Sequence, residues 1–234
     1  MDEKSSDDFN QFAGNYRELH TENIKITGAD SLYFAEHKVK ELERLESNSR
    51  LKFLDIGCGD GAVELFVSRY FSQWSSAGID ISDKSIHEAR SKSISNSEFL
   101  VFDGEKIPFP DSSFDITFFA SVLHHVPEEI HDLIILEAMR VLKPGGRIYI
   151  FEHNPANPFT RHIVKTCVFD KNVKLLWPGY TRKLLKKAGF KSITSKFILF
   201  FPRWKVFSGI QFLEKGLAWL PVGGQYFFRA VKED

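Results

Sequence analysis

The chain has 234 residues, with 31 basic and 31 acidic side chains and a formal net charge of zero. This length fits one domain with a sizeable core, and the charge balance gives no field that would draw the chain to nucleic acid. The two cysteines argue against a disulfide scaffold. The acidic start MDEKSSDDFN is unlike a signal peptide and no long apolar run occurs, so we expect a cytoplasmic protein.

The first part of the chain predicts helix from Phe9 to about Glu46, because apolar residues recur there at three- and four-residue intervals. We assign residues 1–48 to an N-terminal helical lid and residues 49–234 to the main domain. Strand and helix patterns then alternate. The predicted strands are 51–57, 75–82, 97–103, 114–120 and 146–153, and the predicted helices are 61–71, 83–92 and 127–142. This alternation predicts a parallel sheet with helices on both faces.

The C-terminal part departs from the alternation, and we expect residues 154–224 to contain an insertion on the substrate side. Its predicted elements are a loop at NPANPF, a helix at 180–190, a strand at 191–202, an apolar helix at 206–220 and a last strand at 225–233. The two final strands should join one edge of the sheet. The apolar helix has three open explanations: burial, an oligomer contact, or a peripheral membrane contact.

The stretch FLDIGCGDGAVELF places three glycines between the first strand and its helix. Gly57, Gly59 and Gly61 let the backbone approach a ligand closely, and a helix N-terminus favours negative groups. Ligands of open parallel sheets bind at the carboxyl ends of the strands. The sequence therefore predicts a cofactor pocket at this loop.

Two classes of cofactor fit the loop. GCGDGA matches the dinucleotide pattern G-x-G-x-x-A, and with Asp55 it also matches D-x-G-x-G-x-G. Both classes expect an acidic residue at the end of the second strand, where Asp80 stands. Asp55 favours the D-x-G-x-G-x-G pattern. Dinucleotide binders usually carry an apolar residue at this position, whereas a carboxylate suits a ligand with an ammonium group.

Two more segments, VFDGEKIPFPDSSFD and EAMRVLKPGGRIYI, follow in the order and spacing of one superfamily. Together with the glycine loop and Asp80, they resemble class I S-adenosylmethionine-dependent methyltransferases of the small-molecule branch, the methyltransferase type 11-like group. The resemblance covers residues 50–153. It implies a Rossmann-like seven-stranded sheet, mostly parallel with an antiparallel last strand, and S-adenosyl-L-methionine as cofactor with S-adenosyl-L-homocysteine as product.

The resemblance also implies a set of cofactor contacts. Asp80 is expected at the ribose, Asp103 at the adenine amino group, and Ala120 and Ser121 at the cofactor's amino group. Tyr16, in FAGNYRELH, matches a lid tyrosine that closes over the cofactor. The full set is Tyr16, Asp55, Gly57, Cys58, Gly59, Gly61, Asp80, Ile81, Asp103, Gly104, Ala120, Ser121 and His125.

Two histidines are candidate catalytic groups. His125 follows the fourth strand in FASVLHHVPE, and His153 ends the fifth strand. Both strand ends face the active site in this topology, and an imidazole can accept a hydroxyl proton near neutrality. We expect no metal, and no nucleophilic role for Cys58, which lacks an evident paired base.

The resulting functional hypothesis is methyl transfer to a small-molecule acceptor, with a sugar or polysaccharide-precursor hydroxyl preferred. The alternatives are a quinone or lipid-linked acceptor at the membrane surface, with peripheral contact through residues 206–220, and a non-catalytic cofactor-binding partner subunit. Nucleic acid is not expected as acceptor, because FFAS stands where amino-methylating enzymes carry an Asn/Asp-Pro-Pro-aromatic motif. The oligomeric state is left open.

Overall fold

The computed structural model describes residues 16–170 and 173–233, without the side chain of Tyr16. Its centre is one seven-stranded sheet in the order β3-β2-β1-β4-β5-β7-β6. The strands are β1 Lys52–Ile56, β2 Ser75–Asp80, β3 Ser97–Val101, β4 Phe114–Ala120, β5 Leu142–His153, β6 Lys191–Ile198 and β7 Gln225–Val231. Only β7 runs antiparallel to its neighbours. The predicted Rossmann-like sheet with an antiparallel last strand is confirmed.

Helices cover both faces of the sheet, as the alternating pattern predicts. They are α1 Tyr16–Ile24, α2 Ser31–Glu43, α3 Ala62–Tyr70, α4 Asp83–Ser91, α5 His131–Val141, α6 Pro158–Thr166, α7 Pro178–Ala188 and α8 Glu214–Leu217. Helices α2 and α3 pack with the sheet in one apolar cluster, and α5 and α7 pack in another. Because β1 lies between β2 and β4, the chain changes direction across the sheet at β1, and this is where such folds bind ligands.

The predicted N-terminal helical pattern corresponds to two helices rather than one. A short 3₁₀ turn, Lys25–Thr27, ends at Gly28, whose φ of 73° is in the left-handed region that glycine adopts readily. Asp30 then caps α2, because its side chain accepts the N–H of Tyr33 at 2.7 Å. Residues 9–15 of the prediction lie outside the described part of the chain.

One helix was missed by the sequence interpretation. The end of the predicted loop NPANPF is the start of α6, and Asn157 caps this helix by accepting the N–H of Thr160 at 2.9 Å. Pro158 occupies the first helical position, where its missing N–H costs nothing. The Asn-Pro pair was therefore a helix start signal and not only a turn signal.

The predicted apolar helix 206–220 is also different in the structure. Lys205–Leu213 form a 3₁₀ helix, and α8 adds a single turn. Neither element contains a buried residue, so the explanation by burial is wrong. Val206, Ser208 and Gly209 are weak helix formers, which accounts for the poor α-helix. Among the described helices, none is long and apolar enough to cross a bilayer.

Candidate functional site

A cavity of about 390 Å³ opens at the carboxyl ends of β1, β4 and β5. This volume lies within the range of about 300–1,000 Å³ that is usual for ligand pockets. Helices α1 and α2 and the segment after β6 contribute the opposite wall. The predicted site residues that line the cavity are Asp55, Gly57, Cys58, Gly59, Ala120, Ser121, His125 and His153.

Two of the three loop glycines are needed for close packing, and the third leaves open space in the cavity. A Cβ at Gly57 would stand 2.6 Å from Cγ2 of Val122, so close packing requires glycine there. A Cβ at Gly59 would meet nothing within 4 Å, and Gly59 lines the cavity, so the loop leaves open space beside it. At Gly61, a Cβ would meet the ring of Phe99 at 3.0 Å. Gly61 therefore serves helix–sheet packing.

Asp55 is completely buried beneath the loop, and no described residue donates a hydrogen bond to either carboxylate oxygen. Burial, together with the charge of Asp80, raises the pKa of Asp55 well above its ordinary value. Glu64 is equally buried and without a described donor, and burial and Asp55 raise its pKa. A buried carboxylate that lacks a donor is costly, so this end of the cavity suits a cationic ligand group.

Lys38 of α2 lines the same cavity. Burial lowers the pKa of Lys38 to about 8, while Glu152 and Asp55 oppose that shift. Among the described residues that line the cavity, Lys38 is the only lysine, and its ammonium interacts electrostatically with both Glu152 and Asp55.

Asp80 shapes the glycine loop. One carboxylate oxygen accepts the N–H of Gly59 at 2.9 Å and the other accepts the N–H of Ser82 at 2.9 Å. Burial nevertheless raises the pKa of Asp80. Ile81 follows directly and is half-buried. The ribose contact stays a prediction, and it is compatible with this position at the end of β2.

Asp103 and Gly104 form a turn after β3, away from the residues that line the cavity. Oδ1 of Asp103 accepts the N–H groups of Glu105 and Lys106 at 2.8 and 2.9 Å. These two hydrogen bonds lower the pKa of Asp103. The adenine contact stays a prediction, while the observed geometry is that of an exposed turn aspartate.

Ser121, directly after β4, has a strained backbone. Its φ is 62°, which is uncommon for a residue with a side chain, and its N–H bonds to the carbonyl of Phe151 at 2.8 Å. Its Oγ is buried without a described partner, although Ser121 and Ala120 line the cavity. Such strain commonly accompanies a functional site.

A cluster of histidines and carboxylates forms the other end of the cavity. Nδ1 of His124 lies 2.6 Å from Oε2 of Glu152. Oδ1 of Asp170 lies 3.7 Å from Nε2 of His124 and 3.3 Å from Nε2 of His125. The cluster thus joins residues that follow β4, end β5 and follow α6.

The charges in this cluster are interdependent. Burial alone would lower the pKa of His124, but the carboxylates of Glu152 and Asp170 raise it to about 9. Burial and then the charge on His124 lower the pKa of His125. Although burial opposes ionisation of Asp170, its close contacts with His124 and His125 hold its pKa far below the usual range. Near pH 7 the cluster therefore holds a cationic His124, a neutral His125 and an ionised Asp170.

His153 lies beside this cluster, with its ring 5.1 Å from that of His124. Burial and the charge on His124 lower the pKa of His153 to about 3. His153 is therefore neutral, but it binds a proton weakly. His124, His125 and Asp170 also place one ligand atom each within 4.8 Å of one another, a set that could hold a divalent cation.

Residues 54–150 match the family model described as a methyltransferase domain. Over these residues the chain carries a methyltransferase domain. The match includes the glycine loop, the whole of β2, β3 and β4, and parts of β1 and β5, and it ends before the segment that contributes Asp170.

Known proteins resemble parts of the methyltransferase. It is 35% identical over 102 residues to 27-O-demethylrifamycin SV methyltransferase of Amycolatopsis mediterranei, covering 42% of this chain and 36% of that protein. It is 36% identical over 124 residues to the ubiquinone/menaquinone biosynthesis C-methyltransferase of Pseudomonas putida, covering 50% and 47%. The chain thus spans less than half the length of these relatives.

A solved structure from Thermotoga maritima, described as a SAM-dependent methyltransferase, superposes with a TM-score of 0.69 at 19% identity. The alignment covers 98% of this chain and all of the other. At this identity the likeness concerns the fold alone.

The residues present fit S-adenosylmethionine. The unpartnered carboxylate of Asp55 suits the ammonium of its amino-acid part, and the open space beside Gly59 admits a ligand close to the backbone. The strained end of β4 at Ser121 lines the same space. Asp55, Gly57, Gly59 and Ser121 would therefore hold the methionine end of the cofactor. Tyr16 cannot be placed relative to it, because its side chain lies outside the described part.

Sequence reasoning missed several cavity residues. Asp170 lies in CVFDKN, which carries no motif, and Lys38 lies within an ordinary amphipathic helix pattern. Arg17 of α1 forms an ion pair with Asp60 of the glycine loop, with Nε 2.7 Å from Oδ2. Glu152, which contacts the cavity residue His124, had a signal, because it stands next to His153 at the end of β5.

Proposed function

We propose that the methyltransferase transfers a methyl group from S-adenosylmethionine to a hydroxyl oxygen of a small-molecule acceptor. The observation that carries this proposal is the pair of His125 and Asp170, 3.3 Å apart in the wall of the cofactor cavity. A hydroxyl must lose its proton as its oxygen attacks, and this pair can receive that proton.

When bound, the cofactor supplies an electrophilic methyl group on a good leaving group. The protein's task is then to orient the acceptor oxygen and to remove its proton. His125 is neutral near pH 7, because burial and His124 lower its pKa, so it has a lone pair available. Ionised Asp170 stabilises the imidazolium that forms on proton uptake. General-base help of this kind is typically worth about 10²–10⁴-fold in rate.

We place His125 ahead of His153 as the base. The pKa of His153 is lowered to about 3, so its imidazolium would be too acidic to hold a proton at pH 7. His124 acts as a positioning residue: its contact with Glu152 keeps it charged, and that charge keeps His125 neutral.

The acceptor side of the cavity is mainly apolar. Its aromatic and aliphatic wall consists of Phe159, Ile163, Phe169, Phe200 and Phe201. Polar groups on the same side include Asn157, Thr160 and Gln225. A sugar or polysaccharide-precursor hydroxyl remains the preferred acceptor, and the apolar wall supports one that carries an apolar portion.

We also propose that residues 1–48 act as a lid over the cofactor, with residues 49–234 as the transfer domain and an acceptor-side insertion within 154–224. The support is the ion pair between Arg17 and Asp60, which ties α1 to the glycine loop. Nδ1 of His20 lies 2.7 Å from Oγ of Ser31 and links α1 to α2. A closed lid excludes water and fixes the acceptor, and such orientation can supply ~7–11 kcal/mol.

The test is product identification. The purified chain is incubated with methyl-labelled S-adenosylmethionine and an extract of cells that express it, and labelled products are located by mass spectrometry and NMR. We expect the label in a methyl ether. The Asp170→Asn variant should bind the cofactor normally but transfer at least tenfold more slowly, because the base loses its anionic partner. The Leu136→Ser variant, at an exposed site of α5, is the matched control.

Two results would contradict the proposal. Label on carbon would show that the acceptor is not a hydroxyl. Tight cofactor binding without transfer to any component would favour a non-catalytic partner subunit.

A further inference from the structure

The segment Trp204–Val222, which we call the apolar segment, exposes large hydrophobic side chains. Val206, Phe212 and Trp219 are 77%, 72% and 73% exposed. The other exposed members are Trp204, Leu213 and Val222. Soluble surfaces carry single apolar residues commonly, but a run of six in nineteen residues forms a patch that normally has a partner.

The apolar segment is anchored to the rest of the fold at both ends. Nε1 of Trp204 donates to the carbonyl of Ile26 at 2.9 Å, next to the lid helices. The N–H of Phe197 on β6 donates to the carbonyl of Ala218 at 2.8 Å. Oε1 of Glu214 accepts the N–H groups of Phe200 and Phe201 at 3.2 Å. The exposed side chains therefore project from a fixed backbone.

The exposed charges of the segment itself have one sign. Arg203, Lys205 and Lys215 are exposed, and Glu214 is the only acidic residue from Leu199 to Gly224. Glu214 is turned inward to the two backbone N–H groups of Phe200 and Phe201. The patch therefore presents aromatic and aliphatic groups with a cationic rim.

We propose that the apolar segment docks on the surface of an anionic lipid bilayer. Tryptophan and phenylalanine enter the boundary between headgroups and acyl chains, and basic residues pair with anionic headgroups. A second copy of the chain fits less well, because two identical cationic rims would repel each other across a symmetric contact.

Docking has a consequence for the cavity. Phe200, Phe201, Pro202 and Arg203, which lead directly into the apolar segment, line the cavity wall. A bilayer at the apolar segment would therefore lie beside that wall. An acceptor with an apolar portion could reach the cavity from the bilayer, whereas the docking itself does not depend on methyl transfer.

The experiment is sedimentation of the full chain with vesicles of phosphatidylcholine alone or of phosphatidylcholine and phosphatidylglycerol at 3:1. We expect binding to the anionic vesicles and a clear loss of binding in high salt. The double variant Phe212→Ser/Trp219→Ser should lower the partition coefficient at least about tenfold, because two large apolar side chains no longer leave water. The variant Lys205→Glu/Lys215→Glu should lose the preference for anionic lipid.

The matched control is Leu133→Ser/Leu136→Ser, which removes two exposed apolar side chains from α5. It should bind vesicles as the unaltered chain does. The proposal is overturned if no vesicle binds the chain, or if the control loses binding to the same degree. The proposal is also overturned if Phe212→Ser/Trp219→Ser leaves vesicle binding unchanged but changes the oligomeric mass measured by sedimentation velocity. The patch would then be a contact between two copies of the chain. Calorimetric S-adenosylmethionine affinity reports separately that each variant is folded.

Discussion

Asp55→Asn should change cofactor affinity and the stability of the cofactor-free chain in opposite directions. The substitution keeps the size of the side chain and removes its charge. Asp55 is fully buried, and no described residue donates to its oxygens. In the cofactor-free chain the unpartnered carboxylate is therefore destabilising, whereas in the complex we propose that it pairs with the ammonium of the cofactor.

The size of the affinity loss follows from that pairing. Removing one partner of a buried, hydrogen-bonded charge pair typically costs about 2–5 kcal/mol. At about 1.4 kcal/mol per tenfold, Kd for S-adenosylmethionine should rise about 30- to 4,000-fold. We expect the loss to lie towards the lower end of this range, because Lys38 interacts electrostatically with Asp55 and offsets part of the carboxylate's field.

The stability of the cofactor-free chain should rise in the variant at neutral pH. An unsatisfied buried polar group costs about 1–3 kcal/mol, and more when it is charged. Each kcal/mol recovered should raise Tm by about 2–4 °C for a chain of this size.

The pH dependence has a defined sign. Burial raises the folded-state pKa of Asp55 above its unfolded value, so the folded chain binds the proton more tightly. The stabilising contribution of the protonated group is fully present below the unfolded pKa and is lost as pH rises through the folded pKa. Unaltered chain should therefore lose stability above about pH 4, and Asp55→Asn should lose less.

The assays are isothermal titration calorimetry for Kd and differential scanning calorimetry of the cofactor-free chain from pH 4 to 8. Asp111→Asn, at a side chain that is 77% exposed, is the matched control. Unchanged cofactor affinity in Asp55→Asn, or a lower Tm at pH 7 than the unaltered chain, would refute the reasoning.

Four further predictions concern the loop and the histidine cluster. Gly59→Ala should weaken cofactor binding at least tenfold, because the new Cβ would occupy open space in the cavity. It should destabilise the fold by only about 1–2 kcal/mol, which is the cost of a left-handed backbone at a residue with a side chain. Calorimetry measures both effects, and an unchanged Kd would show that the cofactor does not use this space. His125→Asn should lower kcat about 10²–10⁴-fold, and the Kd for the cofactor, measured by titration, should not change. If His153→Asn alone gave that loss of kcat, His153 would be the general base. Glu152→Gln should lower the raised pKa of His124, because only Asp170 then favours the imidazolium. The variant's loss of stability should be full below about pH 6.5 and should disappear as pH passes about 9. Melting curves across that range test this, and a loss that grows with pH would contradict it. Chelation with EDTA should leave methyl transfer unchanged, because a charged His124 cannot ligate a metal. If EDTA abolished methyl transfer and added zinc or manganese restored it, His124, His125 and Asp170 would instead be assigned to a metal site.

The sheet could be predicted because its signals are local. Each parallel strand is a short apolar run, such as KFLDI, followed directly by glycine or a polar turn. The helix bounds were less accurate at the C-terminal end, where competing signals overlap. Asn157 and Pro158 specify both a turn and a helix start, and only the packing of α6 over the cavity decides between them.

The candidate site divides in the same way. Asp55, Gly57 and Gly59 lie within five residues, so their spacing alone was enough to predict a cofactor site there. The cluster at the other end joins His124, Glu152 and Asp170, which lie 18 residues or more from one another along the chain. Hydrophobic periodicity does not predict that a residue after α6 contacts a residue after β4. That contact depends on how the insertion folds back over the sheet.

This division has a mechanistic meaning. The cofactor end needs a fixed backbone and a buried carboxylate, which one strand–turn–helix unit supplies within the matched family segment. The proton-accepting end draws Asp170 from beyond that segment, where the wall of the acceptor cavity also originates. Exchange of the insertion between related methyltransferases should therefore move acceptor choice and the anionic partner of the base together, while cofactor affinity stays with the glycine loop.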